Sequence, residues 1–271
     1  PADRRTLIRR ATYDLTGLPP TLDEIGAFLA DKSPNAFSKV VERLLASPCY
    51  GEKWGRHWLD VARYADSNGL DENLAYVNAF RYRNYVINSF NEDKPYNRFV
   101  QEQIAGDLLP LSKNESDELR HSRLIATGFL SVGAKMLAED DGRKMEMDII
   151  DEQLDTLGRA FMGMTIGCAR CHDHKFDPIP TRDYYSLAGI FKSTHTMDNH
   201  KVVAQWHEVE LGSADLRAKR ELVDKEVKKQ KQTIESLKSK SAKSITTQAR
   251  SVAADYLIGA LVKLRKEARI Q

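Results

Sequence analysis

Two of the three cysteines and two of the seven histidines fall within seven residues, as Cys168, Cys171, His172 and His174. The run reads Gly167-Cys-Ala-Arg-Cys-His-Asp-His-Lys-Phe-Asp-Pro178. C-x-x-C-H is the attachment signature of c-type haem. Two thiols three residues apart on one helical turn can each add to a haem vinyl group, and the adjacent imidazole is then delivered to the iron. This assigns Cys168 and Cys171 as haem-attaching residues and His172 as the iron ligand. His174, Lys175 and Asp177 enrich the run: a second imidazole and a carboxylate can tune the proximal ligand by hydrogen bonding or form a separate acid/base or metal site. The structural alternative is a turn at Asp177-Pro178 capped by His174.

Other chemistries for the same residues stay open. Zinc can be held by the two thiolates with His172 or His174, but structural zinc usually takes four closed ligands from two separated pairs, and no second cysteine pair exists. A thioredoxin-like dithiol needs a βαβ setting, whereas these flanks read as helical. Two buried structural cysteines are the remaining option. If haem is bound, His174 is too close to His172 to reach the far side of the ring. The distal candidates are then His57, Met136, Met145, His195 and His200. A methionine there would raise the potential and favour electron transfer, whereas an open face would favour oxidative chemistry. The rival from another class is a hydrolase-like or binding domain. In it His57, Asp66, His174 and Asp177 surround a non-haem ion, Zn or Ca, and Cys168 and Cys171 form a disulfide.

The elements that must position these residues are mostly helices. Leu7, Ile8, Ala11 and Leu15 give a helix over residues 3 to 16, stopped by Gly17 and the Pro19-Pro20 pair. Thr21 and Glu24 form a capping box for the next. A third follows Ser33-Pro34, with Phe37, Val40, Val41, Leu44 and Leu45 on one side, closed by Ser47-Pro48. Over Glu52 to Ala65 the stripe Trp54, His57, Trp58, Val61, Ala65 predicts that His57 points toward the core. Asp66 to Asn73 is polar and glycine-punctuated, a loop rich in oxygen ligands but without EF-hand spacing. Two further helices run from Asn78 to Phe90 and from Pro95 to Leu108, then a charged connection from 112 to 120 and a short helix over Arg123 to Leu130. Met145 to Ile166 carries the strongest helical period and feeds straight into Cys168. Asp148, Asp151 and Asp155 align on its polar side, either as a solvated face in which Asp155 pairs with Arg159 or as a carboxylate set for a cation or acid/base work. Thr181 to Phe191 is helical, and Val202 to Ala204 is a candidate strand.

Near Gly212 the composition changes. Ser213 to Ile245 holds ten Lys/Arg against five Asp/Glu, with Leu216, Val223, Val227, Ile234 and Leu237 in sparse a/d-like spacing. A break around Ser241 to Thr247, then Ala253, Leu257, Leu261 and Leu264, predicts an antiparallel helical hairpin. The fold class is therefore all-α: a multi-helix domain over residues 1–211 followed by a hairpin or connector over 212–271. With 271 residues and a net charge of +2, no global basic field points to nucleic acid. No apolar run approaches the ~20 residues of a membrane span. The start at Pro1-Ala-Asp-Arg-Arg5 enters a helical pattern without an initiating methionine, as a fragment would. Because haem is attached covalently outside the bacterial cytoplasm, the haem reading implies that a leader preceded it. Cys49 reads as a lone thiol.

Several stretches together resemble the planctomycetal cytochrome-c-like domain of unknown function. They are Tyr13-Asp-Leu-Thr-Gly-Leu-Pro-Pro-Thr21, Tyr50-Gly-Glu-Lys-Trp54, Arg56-His-Trp-Leu-Asp60, Ala62-Arg-Tyr-Ala-Asp66, Ala105-Gly-Asp-Leu-Leu109, the Gly167 to Pro178 run and Asp183-Tyr-Tyr185. The likeness spans about residues 3 to 207. Members of that family usually carry the domain between an N-terminal cytochrome-c-type domain and a C-terminal planctomycete-specific domain, in large exported proteins. The resemblance implies a periplasmic or otherwise extracytoplasmic bacterial protein, haem at Cys168, Cys171 and His172, and a neighbouring cytochrome-c-type domain or redox protein as partner. The expected function is electron transfer coupled to oxidation of an external substrate such as a carbohydrate. Cys49 departs from the family pattern, which suggests histidine within Ser-Pro-x-Tyr-Gly.

Overall fold

Several helices begin where the sequence supplies a capping side chain. Asp3 accepts from the Thr6 amide to open α1 (Arg4–Thr16), and Gly17 closes it. Thr21 and Glu24 bond reciprocally at the start of α2 (Leu22–Ala30), the capping box read from the sequence. With α3 (Ala36–Leu45), these helices bury Ile8, Phe28, Ala36, Val40 and Leu44 in a small N-terminal core. The computed structural model describes residues 2–70, 72–110, 116–201 and 203–267.

Ser47-Pro48 ends one helix and also starts another: Ser47 caps α4 (Pro48–Val61), with Pro48 in its first turn. The inward face of α4 keeps only part of the aromatic stripe: Trp58 packs against the largest core, but Trp54 and His57 do not. Gly51, Gly55 and Leu59 are buried, while His57 is exposed. The reason is close approach to α5 (Ala79–Asn91): a Cβ on Gly51 would stand 2.4 Å from the Ile87 carbonyl oxygen. Small residues thus take the buried side and turn Trp54 and His57 outward. α6 (Tyr96–Ala105) follows, then α7 (Asp117–Ala126), capped by Ser116. The connection expected over 112 to 120 is therefore already helical from Asp117, and its residues 112–115 lie outside the described residues.

α8 (Gly142–Leu157) crosses the largest core, which joins Leu59, Tyr82, Tyr85, Val86, Phe99, Phe129, Ile150, Leu154 and Tyr184. The helix expected to reach Ile166 stops earlier. A π turn at Gly158–Met162 ends at Gly163, whose φ of 65° only glycine adopts freely, and the chain reverses there. Ile166–Arg170 is a separate 3₁₀ turn. α9 (Thr181–Lys192) packs beside it. The strand expected at Val202–Ala204 lies instead on either side of it. β1 (Met197–Asn199) pairs antiparallel with β2 (Gln205–Trp206), and Val202 is outside the described residues. Met197 and Ala204 join Leu137, Met145 and Ile149 in a third core.

The chain divides into two units, Pro1–Val209 and Glu210–Gln271. In the second, the hairpin is replaced by one continuous helix, α10 (Ala214–Glu267), of 54 residues. Ser241 to Thr247 is only a weak helix-forming stretch. It holds neither glycine nor proline, so nothing in it breaks the backbone ladder. The protein is mainly α-helical, and no described helix is long and apolar enough to cross a membrane.

Candidate functional site

The 3₁₀ turn is fixed from beneath by its non-cysteine residues. Ile166 and Ala169 are buried in the largest core. Arg170, between the two cysteines, donates Nη1 to Asp151 Oδ2 at 3.0 Å and Nη2 to Asp148 Oδ1 at 2.8 Å. Both acceptors lie on α8. Tyr184 of α9 donates its hydroxyl to the other Asp151 oxygen at 2.6 Å, and Tyr185 donates to the Arg170 carbonyl at 3.1 Å. Burial, then this contact with Asp151, pushes the Tyr184 phenol above its usual range, so it remains a donor. Burial would raise the Asp148 carboxyl, but the hydrogen bonds from Arg170 and Lys144 outweigh it and hold the group below the usual carboxylate range. Asp148 and Asp151 are therefore neither a free cation site nor a solvated face: they clamp the motif. Asp155 pairs with Arg159 at 2.9 Å, as the sequence suggests.

Pinned in this way, the turn presents Cys168 and Cys171 outward. Both are exposed and free. The disulfide of the rival reading is not formed, nor is the pair buried. His172 is also exposed, and its Nδ1 lies 2.8 Å from the Asp173 carbonyl oxygen. A carbonyl only accepts, so Nδ1 donates, and in the neutral ring the lone pair is on Nε2.

His174 does something different. Its side chain is almost enclosed, with Nδ1 accepting from the Asp177 amide at 2.8 Å and Nε2 2.9 Å from Thr165 Oγ1. An acceptor Nδ1 requires the proton on Nε2, which donates to Thr165, so both ring nitrogens are occupied. The Asp177 carboxylate, 3.4 Å from the same Nδ1, faces a lone pair rather than a cation. His174 and Asp177 thus form a brace that folds the segment after His172, the geometry of the turn-and-cap alternative.

The other expected ligands do not join them. His57 lies against the Trp54 ring at 5.4 Å. Asp66 is exposed and accepts from Tyr64 at 2.6 Å. The oxygen-rich loop around it spends its groups on itself. The Asn68 amide oxygen accepts from the Leu74 amide, its nitrogen donates to Lys135 O, and Ser67 donates to Asn73; Asp71 lies outside the described residues. Neither Zn nor Ca therefore finds a set built from His57, Asp66, His174 and Asp177 among the described residues. Met145 is fully buried in the third core, which removes it from the distal candidates. Met136 is partly exposed, and Cys49 is a half-buried free thiol in the first turn of α4.

Sequence reasoning passed over two features. The Arg170 clamp was signalled by a charged residue inside C-x-x-C beside an aspartate-rich helix. The second is a group formed by His195, Asp198 and His207, whose ligand atoms all lie within 4.8 Å of one another. His207 Nδ1 stands 2.7 Å from Asp198 Oδ1, and this bond holds the Asp198 carboxyl below the usual carboxylate range.

A mainly helical domain that carries a clamped Cys-x-x-Cys-His turn on its surface is the class of protein that fold and site define. Residues 1–196 match the family described as PSCyt2, protein of unknown function (DUF1549). The chain belongs to that family, whose name associates it with cytochromes. No curated protein and no solved structure matches the chain.

Proposed function

We propose that the domain carries one haem c, attached through Cys168 and Cys171 with His172 as axial ligand, and that it passes electrons outside the cytoplasm to or from a neighbouring cytochrome-c-type domain or redox protein. Oxidation of an external substrate such as a carbohydrate is the reaction this would serve. The observation that carries the proposal is the placement of the motif: Cys168 and Cys171 are free and exposed, and the exposed His172 ring next to Cys171 engages the Asp173 carbonyl through Nδ1, which leaves Nε2 as the nitrogen to face an iron.

The surroundings support the assignment. Phe176, 84% exposed and four residues beyond His172, carries the Lys175 ammonium over one ring face at 5.2 Å and offers its other face on the same loop to a flat apolar group. When bound, the haem would supply one-electron transfer at the iron, with a potential set by the axial ligands and the polarity around it. The protein residues have separate tasks. Arg170, Asp148, Asp151 and Tyr184 hold the thiol-bearing turn in place. Asp173 fixes the His172 tautomer, and His174 shapes the following loop without ligating.

The test is to produce the chain with haem-maturation machinery and measure intact mass and pyridine haemochrome absorbance. One covalent haem is expected in the native chain. Cys168→Ser or Cys171→Ser should leave single-thioether or unloaded protein, and His172→Ala should change the axial-ligand spectrum. A folded chain with the bare polypeptide mass and two titratable thiols in this motif would overturn the proposal.

A further inference from the structure

We propose that His195, Asp198 and His207 form a binding site for a divalent transition-metal ion, separate from the Cys168–His172 turn. The site is built by the β1–β2 hairpin. Met197 pairs with Trp206 and Asn199 with Gln205, so two steps on β1 oppose one on β2 and Asp198 is the extra residue of a bulge. A bulge re-aims the side chain it carries. Here it directs the Asp198 carboxylate toward His207, which follows the last residue of β2, and toward His195, which precedes β1.

Both imidazoles address the same oxygen. Asp198 Oδ1 is 2.7 Å from His207 Nδ1 and 3.4 Å from His195 Nε2, and the rings meet edge-on with centroids 4.3 Å apart. A tetrahedral ion with bonds near 2.0–2.1 Å separates its donors by about 3.3 Å. The carboxylate and His195 already stand at that spacing. The carboxylate and His207 need to open by about half an ångström, and the ion takes the place of the Nδ1 proton of His207, which is released to solvent on binding. Two imidazoles and one carboxylate suit Zn²⁺, Cu²⁺ or Ni²⁺ rather than Ca²⁺ or Mg²⁺, which favour all-oxygen sets. All three side chains are exposed, leaving the remaining coordination positions to water or an exogenous ligand.

The hairpin is held from its other side: Met197 and Ala204 anchor it in the third core with Leu137, Met145 and Ile149, whereas exposed charge pairs contribute little to stability. A rigid apolar base under three convergent, solvent-facing donors is a preorganised ligand set.

The experiment uses the untagged full chain with Cys49→Ser, Cys168→Ser and Cys171→Ser, so that thiolates contribute nothing. Zn²⁺ binding is measured by competition with a chromophoric chelator, and Co²⁺ by visible absorbance. One equivalent of tightly bound Zn²⁺ is expected, together with Co²⁺ d–d bands lacking any sulfur charge-transfer band. His195→Ala, which removes a 66% exposed side chain, should leave the thermal transition unchanged and weaken Zn²⁺ at least about tenfold. His207→Ala should do the same, and Cu²⁺ should quench Trp206, the residue beside His207. Absence of binding in the serine background, or affinity unchanged in folded His195→Ala, would overturn the site. Neither result bears on haem attachment, which is read from covalent mass.

Discussion

His172 and His174 are two positions apart, and the structure gives them opposite work. One ring is exposed with a free Nε2; the other is enclosed with both nitrogens engaged. His174→Ala removes a hydrogen bond to Thr165 and leaves the Asp177 amide without its acceptor, a loss of about 1–3 kcal/mol for groups of this burial. The expected outcome in denaturant unfolding is a lower midpoint at unchanged m-value, with covalent haem loading retained. Loss of loading at unchanged stability would instead place His174 in the binding machinery. The C-x-x-C-H spacing was legible without coordinates because it is a local constraint. The division of labour between the histidines was not, since it depends on Thr165 and the Asp177 amide, contacts created only when Gly163 reverses the chain.

The element that gives the motif its place is α8. Its aspartates at 148 and 151 meet Arg170, so the thiol-bearing turn is attached by charge on one side and by Ile166 and Ala169 on the other. Because the folded state holds the Asp148 carboxyl below its unfolded value, the associated stability is fully present above about pH 4 and is lost as pH falls through the depressed value. In Asp148→Asn the dependence of unfolding free energy on pH below about 4 should be shallower. Arg170→Ala should speed amide hydrogen exchange over 166–173 and lower stability by about 1 kcal/mol, the scale for partly exposed pairs. Helical periodicity had located α8 and its aligned aspartates, yet it ran the helix into the cysteines. Propensity does not register a single left-handed glycine as a terminus. The same blindness to close approach put His57 inside α4: the stripe of Trp54, His57 and Trp58 outweighed Gly51 in any hydrophobic count, but only the glycine can face the Ile87 carbonyl.

Across the whole molecule, the members of all three cores fall within Pro1–Val209. A chain ending at Val209 is therefore expected to unfold cooperatively and to retain the haem loading of the full chain, checked by calorimetry and intact mass. Failure to fold would show that Glu210–Gln271 supplies something the cores lack. The all-helical class was legible because amphipathic periods recur throughout. The 54-residue α10 was not, because low helix propensity at Ser241 to Thr247 looks like an interruption in a one-dimensional pattern. The clamp between Arg170 and α8 has a kinetic consequence for the molecule as a whole. Under the proposed function, a turn ordered by folding spares haem capture the entropy of arranging the two sulfurs and the imidazole, so a finished, refolded chain should take up haem as readily as a nascent one.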